Sequence, residues 1–146
     1  MEWIDKIVLG LVDMYRTNNP YELCDLLEVL IIKLEENNPI LAWHNSVYFR
    51  YLNGQEVIYL RNNLNVHYEE FYLKHELGHA ILHTDIKNSL NINLININKI
   101  EKQANYFAFK LSDLNFDEIE LDGMTLEQVS SCMEIPQSAL KQLVNL

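Results

Sequence analysis

The sequence predicts an α+β fold in one compact domain spanning residues 1–146, and three observations carry that expectation. Apolar residues recur at helical spacing toward both ends of the chain. Two short β-rich segments flank an Asn-Gly pair near the middle. A hydrophobic content of 49% over 146 residues is enough for one core. The sheet is expected to be small and antiparallel, because its strongest pairing signal is a hairpin.

Trp3, Ile4, Ile7, Val8, Leu11, Val12 and Tyr15 fall at helical spacing, and this first helix stops near Asn18-Asn19-Pro20. Pro20 suits the first turn of a second helix, running to about Leu27 or Glu28, where its missing N–H costs nothing. Val29–Leu34 reads as a buried strand bounded by Glu35-Glu36-Asn37-Asn38-Pro39, with a continued second helix as the competing reading. Val47–Leu52 and Gln55–Leu60 flank Asn53-Gly54, a hairpin turn whose two central residues are expected at φ > 0. Val66–His83 forms one helical segment without proline, with Phe71, Leu77, Ala80 and Ile81 available for burial.

Asn88–Asn98 alternates asparagine with aliphatic residues and is expected to be a long loop between helices rather than a strand. Lys99–Leu111 carries an apolar stripe of Ile100, Ala104, Phe107, Ala108 and Leu111. Thr125 caps a helix over Leu126–Met133, with Gln128 at the capping-box position, and Pro136 opens the last helix. These two helices, about 125–146, have the cadence of a helix-turn-helix. The second offers only Lys141 and two glutamines for DNA, so a helical hairpin that completes the core or engages a partner is the favoured reading.

A net charge of −10 argues against a nucleic-acid surface, since phosphate binding needs a basic face. Cys24 and Cys132 lack metal-knuckle spacing and read as reduced core cysteines. Met1–Arg16 lacks the pattern of a signal peptide, with Glu2 and Asp5 at the wrong end, and no stretch approaches a membrane span. The expected setting is cytoplasmic, without membrane or direct nucleic-acid contact.

The chemistry is concentrated in His75-Glu76-Leu77-Gly78-His79, an HExxH pentapeptide. On a helix, positions i and i+4 lie about 6 Å apart, so both imidazoles can converge on one ion. Glu76 points about 100° away and is placed to serve as general base for a water beside that ion. A hydrolytic Zn2+ site is the first hypothesis, weighed against an amphipathic helix with two exposed histidines. Gly78 costs the helix roughly 1 kcal/mol relative to Ala and leaves room for close approach of another element.

A catalytic zinc site ordinarily takes a third protein ligand. His83 lies one turn beyond His79, but three residues of one straight helix cannot surround an ion; it suits a supporting or loop-anchoring role better. Asp85 sits where longer HExxH motifs place a ligand, but Leu82 occupies the slot where those motifs turn on glycine. Glu101 opens a new helix and is the better candidate, with Asn105 on the same face to hydrogen-bond a ligating histidine. The competing reading is a carboxylate that merely complements the helix dipole.

His75-Glu76-Leu77-Gly78-His79-Ala80-Ile81-Leu82-His83, followed by Glu101-Lys102-Gln103-Ala104-Asn105-Tyr106-Phe107-Ala108, resembles the HExGHxxxH and ExxANxFA pair of the ImmA/IrrE metallopeptidases. Asn19-Pro20-Tyr21-Glu22-Leu23 is similar to a segment common near their N-terminus, while Leu111-Ser112-Asp113-Leu114 departs from the LLMP that often follows the second motif. The resemblance implies a zincin-like domain with His75, His79 and Glu101 as zinc ligands and Glu76 as the catalytic carboxylate. It further implies a phage or mobile-element protein acting on a helix-turn-helix transcriptional repressor. The expected activity is endopeptidase cleavage of that repressor; the alternative is an antirepressor that sequesters it without proteolysis. One hairpin strand is expected to offer its edge to an extended peptide.

Overall fold

A computed structural model describes residues 1–90, 97–116 and 121–144. Helix α1 (Glu2–Tyr15) buries Ile4 and Val8 and closes on Arg16 in the left-handed conformation, while Trp3 stays near the surface. Helix α2 (Pro20–Leu26) starts at Pro20 with the Asn19 side chain accepting from the N–H groups of Tyr21 and Glu22. Glu28, at φ 59°, breaks the helical path, so Val29–Leu34 becomes strand β1 rather than more helix.

Strands β2 (Ser46–Arg50) and β3 (Glu56–Arg61) form the expected antiparallel hairpin. Strand β1 joins β3 in parallel, Val29 opposite Glu56, so the sheet is mixed in the order β1-β3-β2 rather than wholly antiparallel. The cause is topological: the central place is taken by the last strand, whose inner edge pairs with its hairpin neighbour and whose other edge is left for β1. The turn also differs from expectation. Gly54 alone of the Asn-Gly pair is left-handed, at φ 88°, while the Asn53 side chain accepts from the Gln55 N–H. The Gly54 N–H to Tyr51 carbonyl and Tyr51 N–H to Gln55 carbonyl bonds make this a three-residue loop with a glycine bulge.

Helix α3 (Val66–Leu82) is capped by Asn65 and buries residues on more than one face, including Leu73, Leu77 and Ala80. It runs between the sheet and helix α4 (Ile97–Leu111), which starts two residues earlier than expected; positions 91–96 of the anticipated loop lie outside the described residues. A Cβ built on Gly78 would lie 3.1 Å from Phe107 Cδ1 and 3.3 Å from Ala104 Cα, so glycine lets α3 and α4 approach this closely.

Helix α5 (Leu126–Met133) shows the capping box of Thr125 and Gln128, and helix α6 (Gln137–Leu143) follows Pro136. Val129, Ala139, Leu140 and Leu143 pack with Phe71, Ala108 and Phe109, so the terminal hairpin completes a second apolar cluster on the far side of α4. The main cluster joins α1, α2, the inner sheet face, α3 and α4 through Ile4, Leu23, Tyr48, Ile58, Leu73 and Phe107. Cys24 is buried there, but Cys132 is exposed, contrary to the expectation that both lie in the core. No described helix is long and apolar enough to cross a membrane.

Candidate metal centre and catalytic cleft

The α3–α4 contact brings the two motifs together. His75 and His79 direct Nε2 atoms to within 3.2 Å of each other. From α4, Glu101 places Oε2 3.3 Å from His75 Nε2 and Oε1 3.1 Å from His79 Nε2. These donors all lie within 4.8 Å of one another, and His79 is fully buried. Asp85 is exposed and outside the cluster.

Each histidine is held from behind. His75 Nδ1 is 2.7 Å from Asn105 Oδ1, so the ring donates there and leaves a lone pair on Nε2. His79 Nδ1 is 3.0 Å from His83 Nδ1, and His83 Nε2 is 2.9 Å from Gln103 Oε1. Because the glutamine oxygen only accepts, His83 carries its proton on Nε2, and its bare Nδ1 accepts a hydrogen bond from the Nδ1–H of His79. Both relays therefore select the tautomers that present bare Nε2 atoms to the centre.

Charge agrees with this arrangement. Burial pushes the His75 imidazole down, but its bond to Glu101, the charges of Glu76 and Glu101, and the Asn105 bond bring it up to about 8. Burial raises the Glu101 carboxyl, and the bonds and charges of the two histidines more than offset this, holding it well below the usual carboxylate range. His83 is lowered by burial, with Gln103 opposing and His79 reinforcing the shift. Two inward lone pairs and a carboxylate within such distances need a proton or a cation between them. For four-coordinate binding with bonds of about 2.0–2.1 Å, tetrahedral edges run about 3.3–3.4 Å. The 3.2 Å between the two Nε2 atoms is close to such an edge, and Glu101 approaches each ring with a different oxygen, Oε1 at 3.1 Å and Oε2 at 3.3 Å, so either oxygen is near enough to complete a three-donor set.

Glu76 is positioned differently. It is 3% exposed, its Oε1 accepts from Ser46 Oγ at 2.7 Å, and its Oε2 has no hydrogen-bond partner among the described residues. Ser46 and Glu76 both line a cleft of about 460 Å³. One wall is Trp43–Ser46, with Trp43 85% exposed; the other is α6, through Ser138, Ala139 and Gln142.

Sequence reasoning missed Ser46, Gln103 and Gln142. Ser46 had a signal: it shares a strand face with Tyr48, directed at α3, and a polar residue there needs a buried partner. Gln103 and Gln142 had none. The hairpin edge is also more restricted than expected. β3 is central, and the outward backbone of β2 is engaged at Tyr48 and Arg50 by Ser89 and Lys87. The residues after Leu111 close α4 through Ser112, whose hydroxyl accepts from the buried Lys74.

A family model described as Peptidase_M78, IrrE N-terminal-like domain, matches residues 24–142. The chain is 29% identical over 137 residues to Metallopeptidase ImmA of Bacillus subtilis (strain 168), covering 88% of this chain and 76% of that protein. It is 31% identical over 110 residues to Uncharacterized immunity region protein 2 of Bacillus phage phi105, covering 74% of this chain and 66% of that protein. No solved structure matches significantly. The family match takes in the sheet, both helices that supply the converging donors, and nearly all of the α6 wall, so this chain belongs to the Peptidase_M78 family, with the metal-dependent peptidase chemistry of that family.

Proposed function

We propose that the protein is a zinc-dependent endopeptidase in which His75, His79 and Glu101 hold the ion and Glu76 is the catalytic carboxylate. The observation that carries this reading is the unpartnered, buried Oε2 of Glu76 beside three converging donors. A buried carboxylate oxygen without a donor is costly unless a reacting group supplies one.

Zinc, when bound, lowers the pKa of a coordinated water to about 7 and polarises a carbonyl oxygen. The protein's own residues do the rest. Ser46 fixes one oxygen of Glu76, which leaves the other unpartnered to take a proton from the attacking water. Glu76 then passes that proton to the leaving amine as the C–N bond breaks, acting first as general base and then as general acid. Asn105 and His83 keep the two imidazoles in the ligating tautomers.

The substrate is a protein segment in extended form, running past the Trp43–Ser46 end of the cleft, because the remainder of the β2 edge is already engaged. We further propose that this protein is a helix-turn-helix repressor encoded beside the peptidase, cut in a linker or fraying terminus. The name of the phage relative, an immunity region protein, supports that substrate class. Co-expression with the adjacent repressor is expected to yield defined fragments with the wild type and none with Glu76→Gln. Derepression by Glu76→Gln with an intact repressor would instead make the protein a sequestering antirepressor.

A further inference from the structure

The hydrogen-bond relay leaving His75 does not end within the two motif helices. Asn105 Nδ2 donates to Gln142 Oε1 at 2.6 Å, and Gln142 belongs to the C-terminal helix α6. We propose that Gln142 is a positioning residue of the metal centre: it orients the Asn105 amide and thereby sets which ring nitrogen His75 presents to the ion. The inference rests on His75 being a metal ligand.

An amide has an accepting end and a donating end. When Asn105 offers Oδ1 to His75, the imidazole carries its proton on Nδ1 and leaves Nε2 bare. When the amide turns over, Nδ2 faces the ring, the proton is favoured on Nε2, and that nitrogen no longer binds a cation. Asn105 is 7% exposed, so its NH2 group has little recourse to bulk water and needs an internal acceptor. Gln142 supplies it. The helix that carries Gln142 is held in place by the buried side chains of Ala139, Leu140 and Leu143 against Phe71, Ala108 and Phe109. The His79 relay, by contrast, closes locally on His83 and Gln103. A terminal helix that contributes no ligand therefore governs one of the two histidines and leaves the other alone.

The test is the affinity for Zn2+ itself, read by competition with a chromophoric chelator, alongside the thermal midpoint of each metal-free variant. Gln142→Leu is expected to weaken binding roughly tenfold, in the range typical of residues behind a ligand. Gln142→Glu keeps an acceptor and removes the donor, so it is expected to bind at least as tightly as wild type. In an Asn105→Ala background the Gln142→Leu change is expected to add no further loss, because the relay is already cut. The proposal is overturned if Gln142→Leu stays within twofold of wild type, if its loss persists undiminished beside Asn105→Ala, or if Gln142→Glu weakens binding as much as leucine does. His75→Ala in the same assay separates the two layers. Zinc affinity unchanged by that substitution would remove the ligand assignment beneath the proposal, whereas loss there with no effect at Gln142 would overturn the positioning role alone.

Discussion

The two sides of the site are built on opposite plans. On the α4 side, His75, His79 and Glu101 sit in a closed network in which both remote ring nitrogens have partners and the carboxylate contacts both rings. On the cleft side, Glu76 has one oxygen tied to Ser46 and the other tied to nothing among the described residues. A group that must hold an ion gains from a fixed tautomer and rotamer; a group that must exchange a proton needs a lone pair left open. On the proposed assignment, the contrast separates binding from chemistry within one helical turn, since Glu76 directly follows His75 in sequence.

Breaking the closed side should have the largest effect. His79→Ala removes the fully buried imidazole of the proposed ligand set and is expected to abolish tight zinc binding, while Asp85→Ala is expected to leave it unchanged; metal analysis after dialysis reads both. Acid should act on the same side. His75 rises to about 8 in the metal-free protein, so below that pH a proton competes with zinc for Nε2. Apparent affinity is expected to fall roughly tenfold per pH unit below about 8 and to level off above it, as titration calorimetry from pH 6.5 to 9 would show.

Smaller changes sharpen the contrast. Ser46→Ala frees Glu76 to rotate and is expected to lower turnover about tenfold with zinc content intact, read from the rate of cleavage of the proposed substrate. Gly78→Ala tests the α3–α4 approach that brings Glu101 to the histidines. Alanine gains about 1 kcal/mol of helix propensity, but its methyl group meets Phe107 and the Ala104 backbone, at a cost of about 1–3 kcal/mol. A net loss of about 1 kcal/mol in thermal or denaturant unfolding is expected, together with weaker zinc binding.

How much of this was legible in the sequence follows from the range of each interaction. His75, Glu76 and His79 share one helix, so spacing alone sets their relation. The capping box at Thr125 and the start of α2 at Pro20 are equally local and appear as read. Glu101 needed a chain return of more than twenty residues, which residue spacing left open between a ligand and a dipole-complementing charge; only the family resemblance favoured one. The parallel pairing of β1 with β3 depends on a crossover that no local residue signals. At the hairpin, the Asn53 side chain makes its own turn bond, and that replaced the two-residue turn expected from the Asn-Gly pair. Gln142 meets Asn105 across 37 residues and two elements, beyond the reach of any periodicity.

The most direct measurement compares the two carboxylates side by side, by zinc content and hydrolysis of purified Glu76→Gln and Glu101→Gln. Glu76→Gln is expected to retain close to one zinc per chain and to lose hydrolysis by about 10²–10⁴-fold. Glu101→Gln is expected to lose the zinc itself. A Glu76→Gln protein that no longer binds zinc, or a Glu101→Gln protein that binds it as tightly as wild type, would contradict the division between the holding side and the reacting side.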